Sequence, residues 1–161
     1  MITTGWPWVA RPLVSAALFA LAVGSAAGCA YGGASVGGGL PKLSADERVD
    51  ADPVPFEGVL RIGPQGCLMM RLDTPAGDAA DRWTVWPVDA EQVLSATESG
   101  NGARVDGDTY ADQDRVTGSG RLVALADLPL GSSPGSYFEG KGRYCDALVG
   151  GVLVIDEVQH A

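Results

Sequence analysis

The stretch FEGVLRIGPQGCLMMRLD, residues 56–73, decides the fold class of this chain. Its first seven residues place apolar side chains and glycine on one face and charged side chains on the other, which is the period-two pattern of a strand. The segment GPQG at residues 63–66 is typical of a turn. After the turn, Leu68, Met70 and Leu72 again share one face. The stretch therefore predicts a β-hairpin.

Similar short stretches recur downstream, and scarcely any segment has the periodicity of an amphipathic helix. The further predicted strands are RWTVWPV (82–88), ARVD (103–106), RVTGSGRLVALA (115–126), GVLVIDEV (151–158) and two very short ones at 136–138 and 142–145. A helical turn is expected at residues 89–96, where Asp89 is the candidate cap.

The longest of these strands, residues 115–126, changes its apolar phase along its length. Val116 and Leu122 fall on one face, whereas Val123 and Leu125 fall on the other. The intervening GSG segment predicts a β-bulge, because glycine tolerates the local bend that shifts the pattern by one residue.

Five to seven short strands with glycines at the bends predict a small all-β domain. A barrel or a sandwich manages such strands without leaving open edges. The strand pattern is similar to that of an OB-like, partly open barrel, and a two-sheet β-sandwich is the alternative.

The N-terminus has the three-part layout of an export signal. Arg11 and the amino terminus supply positive charge, and residues 13–23 form an apolar segment of eleven residues. A membrane-spanning helix needs about twenty such residues, so this segment is short for that purpose. Small residues at positions 24–28 then lead to Cys29.

The segment Ala26-Ala27-Gly28-Cys29 resembles the lipobox of bacterial prolipoproteins, in which small or aliphatic residues precede an obligatory cysteine. The resemblance covers residues 1–29. It implies that Cys29 carries a diacylglyceryl group, that signal peptidase II removes residues 1–28, and that the membrane is a partner through the lipid. Two alternatives stay open, namely an uncut transmembrane helix at residues 13–36 and cleavage at an ordinary export site. All three place the rest of the chain outside the cytoplasm.

Composition divides the exported part into three regions. Residues 29–53, rich in glycine and then acidic, indicate the lipidated cysteine and a flexible tether, with a short helix possible at 44–51. Residues 54–158 are the predicted all-β domain, and residues 159–161 are a tail. 

Cysteine use agrees with export. Once Cys29 is assigned to the lipid, Cys67 and Cys145 remain, an even number in an oxidising compartment. We expect a disulfide between them, and two buried free thiols are the alternative.

Charge and composition exclude several function classes. The chain has 20 acidic and 11 basic side chains and a net charge of −9, so phosphate backbones are repelled and nucleic acid is not an expected partner. The single histidine, His160, lies at the chain end, which argues against a nucleophilic triad and against zinc. No phosphate-loop pattern is present, and no cofactor is expected.

The segment DGDTYADQD at residues 106–114 is the most distinctive polar stretch. Its carboxylates are candidate calcium ligands. The residues at the glycine and glutamate positions of the EF-hand template are Ala111 and Thr117, so a solvated loop is favoured over a metal site. The candidate ligands are Asp106, Asp108, Asp112 and Asp114.

Two functions stay open. The first is a membrane-anchored, non-catalytic binding or assembly module of the cell envelope, which contacts an envelope protein or glycan; Trp83 and Trp86 are candidate ligand platforms, although packing in the core or at an edge is favoured for them. The second is a carboxylate-dependent hydrolase of envelope glycans, which needs two facing acids. Its candidate acids are Glu139, Asp146, Asp156 and Glu157.

Overall fold

The computed structural model describes residues 39–63, 65–73, 81–94 and 101–161. Cys29 and the whole expected signal peptide lie outside these residues, so the lipidation site stays a prediction. Within the described ranges no helix has the length and hydropathy needed to span a membrane.

The described part of the chain contains eight strands, two helices and a 3₁₀ turn. The strands are β1 Val54–Ile62, β2 Leu68–Leu72, β3 Asp81–Val85, β4 Glu91–Leu94, β5 Asn101–Val105, β6 Asp108–Tyr110, β7 Arg115–Val123 and β8 Val152–His160. The 3₁₀ turn is Leu125–Asp127, and the helices are α1 Tyr137–Tyr144 and α2 Ala147–Gly150.

Five strands close into a barrel in the order β1-β2-β3-β8-β7, and β4, β5 and β6 form a separate antiparallel sheet. β1 closes the ring because it pairs with β2 through residues 58–62 and with β7 through residues 54–59. β3 and β8 run parallel, whereas the other neighbours in the barrel are antiparallel. The predicted all-β, OB-like barrel is confirmed. It is closed rather than partly open, and it is not a two-sheet sandwich.

The predicted bulge lies in β7, where the register with β8 shifts between Ser119 and Gly120. The two backbones approach closely here. A Cβ on Gly118 would lie 2.0 Å from the carbonyl oxygen of Glu157, and one on Gly120 would lie 2.5 Å from that of Val154. Only glycine fits at these positions, which explains why the apolar phase of the strand changes at the GSG segment.

The first part of β8, residues 152–155, is buried on both faces, because the 3₁₀ turn and α1 cover the barrel there. Leu153 and Ile155 belong to an inner cluster with the apolar side chains of β1 and β2. Val152 and Val154 belong to an outer cluster with the 3₁₀ turn and Phe138 of α1. The continuous apolar run at residues 152–155 reflects these two environments.

The helix α1 replaces the two short strands expected at residues 136–138 and 142–145. Ser136 caps its N-terminus, and its Oγ accepts a hydrogen bond from the backbone N–H of Glu139 at 3.3 Å. The carboxylate of Glu139 in turn accepts one from the N–H of Gly135 at 3.1 Å. This reciprocal capping, together with the Glu139–Arg143 ion pair one turn apart, favours the helix despite two internal glycines.

Residues 89–96 also differ from expectation. The predicted helical turn is wrong, because residues 91–94 form β4, which pairs with β5. Residues 95–96 lie outside the described ranges. The separate sheet that begins with β4 was not expected, and it contributes Ala103, Val105 and Tyr110 to the inner cluster.

Both ends of the domain extend beyond the predicted limits. Part of the stretch assigned to the tether packs on the domain. Leu40 and Val49 are each 9% exposed, and the N–H of Trp86 donates to the carbonyl of Pro41 at 2.8 Å. Residues 39–53 contain a turn and no helix. At the other end β8 continues to His160, whose ring stacks on Tyr110 with centroids 4.7 Å apart, so the predicted tail at 159–161 is also part of the domain.

Candidate functional site

A pocket of about 550 Å³ opens beside α1, the β1–β2 turn and the start of β5. We call it the disulfide pocket, because Cys67 and Cys145 both line it. Its other apolar and aromatic side chains are Leu40, Pro41, Leu68, Trp83 and Tyr144, and its polar ones are Gln65, Gln92, Asn101 and Lys141. A concave, mainly apolar site with a few polar groups is the usual form of a small-ligand site.

The disulfide between Cys67 and Cys145 is present, and the prediction of this bond is confirmed. The two Cα atoms lie 5.8 Å apart. Cys67 follows the β1–β2 turn, where Gly66 adopts a positive φ of 77°, and Cys145 ends α1. The bond therefore joins the turn to the helix and fixes two walls of the pocket relative to each other. A disulfide is compatible with a location outside the cytoplasm.

Lys141 is the charged side chain among the described residues that line the pocket, and α1 positions it. Its Nζ donates to the carbonyl oxygen of Gly39 and lies 5.6 Å from the ring centroid of Tyr137. Burial lowers the pKa of Lys141, because the cation is partly removed from water. Among the described ion pairs none involves Lys141.

Side-chain amides line the opposite part of the pocket. The Nδ2 of Asn101 donates to the carbonyl oxygen of Gly66 at 3.2 Å, which ties the start of β5 to the β1–β2 turn. Gln92 reaches the pocket from β4, where it pairs with Ala103, two residues along β5 from Asn101. The sheet that the sequence did not predict therefore supplies one wall.

Sequence reasoning found three residues of this pocket and missed the others. Cys67, Cys145 and Trp83 were singled out, whereas Lys141 and Gln92 were not. The spacing of Ser136 and Glu139 is a capping-box signal that could have revealed α1. Nothing local indicates that Lys141 and Gly39 meet across 102 residues.

The two candidate platforms, Trp83 and Trp86, are both buried, at 1% and 2% exposure. Trp86 belongs to the inner cluster and Trp83 to the outer one, where it packs edge-on against Phe138. Both tryptophans therefore pack in the core, as the favoured interpretation predicted. Trp83 touches the disulfide pocket as part of its floor rather than as an exposed stacking surface.

The carboxylates of the aspartate-rich segment are divided between separate tasks. Asp112 Oδ1 accepts from the N–H of Ile62 at 3.0 Å, and Asp114 Oδ2 accepts from the N–H of Ala111 at 2.7 Å. Asp106 has a positive φ of 52° in the β5–β6 turn, and Asp108 is exposed at the start of β6. No group of three or more potential metal ligands occurs among the described residues.

The four candidate acids of a hydrolase do not form one group. Asp156 and Glu157 line a second cavity of about 620 Å³, and Asp156 pairs with Arg121. Asp146 lines another depression, next to the disulfide. 

Glu139 lies on α1, where the N–H of Gly135 and then Arg143 lower the pKa of its carboxyl group. A general acid needs a raised pKa, so this shift has the wrong direction for that task.

Comparison of the chain with protein-family models, with curated proteins and with solved structures finds no match.

Proposed function

We propose that this protein is a lipid-anchored binding module of the cell envelope, held outside the cytoplasm and not catalytic. The observation that carries the proposal is the disulfide pocket, a concave apolar site that opens on a closed, disulfide-linked barrel. Its walls come from residues 39–41, the β1–β2 turn, four strands and α1, and the disulfide joins the turn to α1, so the site is largely pre-formed.

The lipobox-like segment and the disulfide support the location. A bond between Cys67 and Cys145 is typical of an oxidising compartment, and small residues lead to Cys29 after the apolar segment. Nine residues lie between Cys29 and Gly39, which lines the pocket, so the two Cα atoms are at most about 35 Å apart. A lipid on Cys29 would keep the pocket within that distance of the membrane surface.

The placement of the acids supports a binding task over hydrolysis. Asp156 and Glu139 are engaged by arginines, and none of the described residues that line the disulfide pocket is acidic. The alternative function is a hydrolase of envelope glycans. Its candidate catalytic acids are Asp156 and Glu157, which line the 620 Å³ cavity. Turnover of cell-wall material that is lost on Asp156→Asn would contradict the proposal.

Labelling with radioactive palmitate in the native host tests the anchor. Wild-type protein should incorporate the label, and Cys29→Ala should not, because the thiol that accepts the diacylglyceryl group is removed. The double variant Cys67→Ala/Cys145→Ala is the matched control and should label like the wild type. Incorporation into Cys29→Ala would overturn the anchor.

Photocrosslinking in the native envelope tests the binding site. A benzoylphenylalanine at Tyr144, which is 60% exposed at the pocket, should capture a ligand or partner. The same group at Val88, 57% exposed and away from that pocket, is the matched control. Equal capture at the two positions would contradict the assignment of the pocket as the binding site.

A further inference from the structure

We infer that the disulfide pocket takes an anionic amphiphile, a molecule with an aliphatic body and one carboxylate or phosphate head group, and that Lys141 contacts the head group. This inference rests on the proposed function and names the class of ligand for the same pocket.

The apolar wall selects the body of the ligand. Leu40, Leu68 and Trp83 are buried side chains that reach the pocket, and the disulfide adds two sulfur atoms beside them. This apolar part of the wall offers no hydrogen bonds, so a sugar or a peptide backbone placed against it would lose its water contacts there without replacement. An aliphatic chain loses nothing there and gains the removal of its surface from water. The volume of about 550 Å³ lies in the ordinary range for small-molecule sites.

The charge in the pocket opposes the charge of the chain. The sequence has 20 acidic side chains against 11 basic ones, yet Lys141 is the one ionisable side chain among the described lining residues apart from Tyr144. In the described ion pairs Lys141 has no carboxylate partner, and one of its three N–H donors goes to the carbonyl of Gly39. The ammonium group therefore has donor capacity left for an anion.

Partial burial makes this arrangement selective. A cation removed from water without a counter-ion is destabilised, and the lowered pKa of Lys141 has that cause. An anionic head group beside it relieves the penalty, whereas an uncharged head group does not and a cationic one increases it. We therefore expect the site to bind ligands with the same aliphatic chain but different head groups with different affinities.

Three twelve-carbon probes measure that discrimination, namely laurate, dodecanol and dodecyltrimethylammonium. The protein is the mature chain with Cys29→Ser, which keeps every described residue and carries no lipid of its own. Calorimetry should show laurate binding at least about tenfold tighter than the other two probes. Lys141→Met should remove that advantage, and Lys141→Arg should retain most of it.

Lys42→Met is the matched control. Lys42 is the other lysine of the chain, and its Nζ also donates to a backbone carbonyl, that of Ala90 at 2.9 Å, but it does not line the pocket. Its replacement should leave laurate binding unchanged. A second variant, Gly140→Trp, adds a large side chain at the pocket wall, where a Cβ meets open space, and should weaken all three probes.

Two results would overturn the inference and leave the proposed function standing. Equal affinity for laurate and dodecanol would show that the pocket does not require an anionic head group. If neither Lys141→Met nor Gly140→Trp changes the affinity for laurate, laurate binds outside the disulfide pocket. If none of the probes binds, the inference is wrong, and capture at Tyr144 then decides separately whether the pocket binds anything.

Discussion

At the scale of single residues, Thr84 holds a polar contact inside the barrel. Among the described residues Thr84 is the one polar residue in the buried class, and it has no exposed surface. Its Oγ1 donates to the carbonyl oxygen of Leu68 at 2.8 Å and accepts from Nε1–H of Trp86 at 3.0 Å. One hydroxyl thus satisfies an indole N–H and a strand carbonyl that have no access to water.

Thr84→Val should lower the free energy of unfolding by about 2–3 kcal/mol, because the shape is kept while the indole N–H of Trp86 loses its acceptor. Thr117→Val is the control. Its hydroxyl only receives an exposed hydrogen bond from Gln159, so the change should stay within about 0.5 kcal/mol. Urea denaturation measures both variants. Equal effects would show that the buried hydroxyl contributes nothing particular.

The environment of Glu139 makes the stability of the fold depend on pH. The N–H of Gly135 and the guanidinium of Arg143 lower the pKa of its carboxyl group in the folded state. A lowered pKa means that the ionised group stabilises the fold above its unfolded-state pKa, and that this stabilisation is lost as the pH falls through the folded-state value. Glu139→Gln should therefore lower the melting temperature at neutral pH, and its difference from wild type should vanish in acid.

Melting curves over a series of pH values measure this difference. Glu157→Gln is the control, since Glu157 is exposed and has no partner among the described ion pairs. A Glu139→Gln difference that stays constant with pH would assign the effect of Glu139 to packing or to helix propensity instead of to its charge.

At the scale of elements, α1 contains a matched pair of glycines. A Cβ at Gly140 meets nothing within 4 Å, whereas one at Gly142 would lie 2.4 Å from Cδ1 of Leu125, a buried side chain of the outer cluster. Both substitutions to alanine bring the same gain in helix propensity. They differ only in the space that the neighbouring element leaves.

Gly140→Ala should raise the free energy of unfolding by about 0.5–1 kcal/mol. Gly142→Ala should lower it by about 1–2 kcal/mol, because Leu125 must move within packed surroundings. Thermal denaturation followed by circular dichroism compares the two. Stabilisation by both substitutions would mean that α1 is not packed against the 3₁₀ turn.

At the scale of the whole molecule, the disulfide closes a loop of 78 residues between the β1–β2 turn and α1. In the chain-entropy model such a bond restricts the unfolded state, and removal of native disulfides from small domains costs about 2–5 kcal/mol. The Cys67→Ala/Cys145→Ala variant should lose stability in that range in denaturant titrations. Cys29→Ser, which touches no described contact, should lose none.

Thiol titration gives an independent measurement. The unfolded, unreduced mature chain with Cys29→Ser should contain no free thiol, and reduction should expose two. A free thiol before reduction would contradict the bond in the mature protein.

The amino-acid sequence by itself determined the five strands of the barrel, the hairpin, the bulge and the cysteine pair. Each of these has a local signal. Alternation at residues 56–62 places one face of β1 in the core, and the glycines of β7 mark a place where two backbones approach too closely for a side chain. The disulfide followed from an even number of cysteines after an export signal.

Only the tertiary structure decided the closure of the barrel, the formation of α1 and the composition of the disulfide pocket. Contacts between distant residues determine these features, such as Lys141 with Gly39 and Trp86 with Pro41. Periodicity in sequence reports which side of an element is buried and not which partner buries it. In α1 the glycines weaken the local signal, and the helix is stabilised by its cap and by the packing of Phe138 against Trp83.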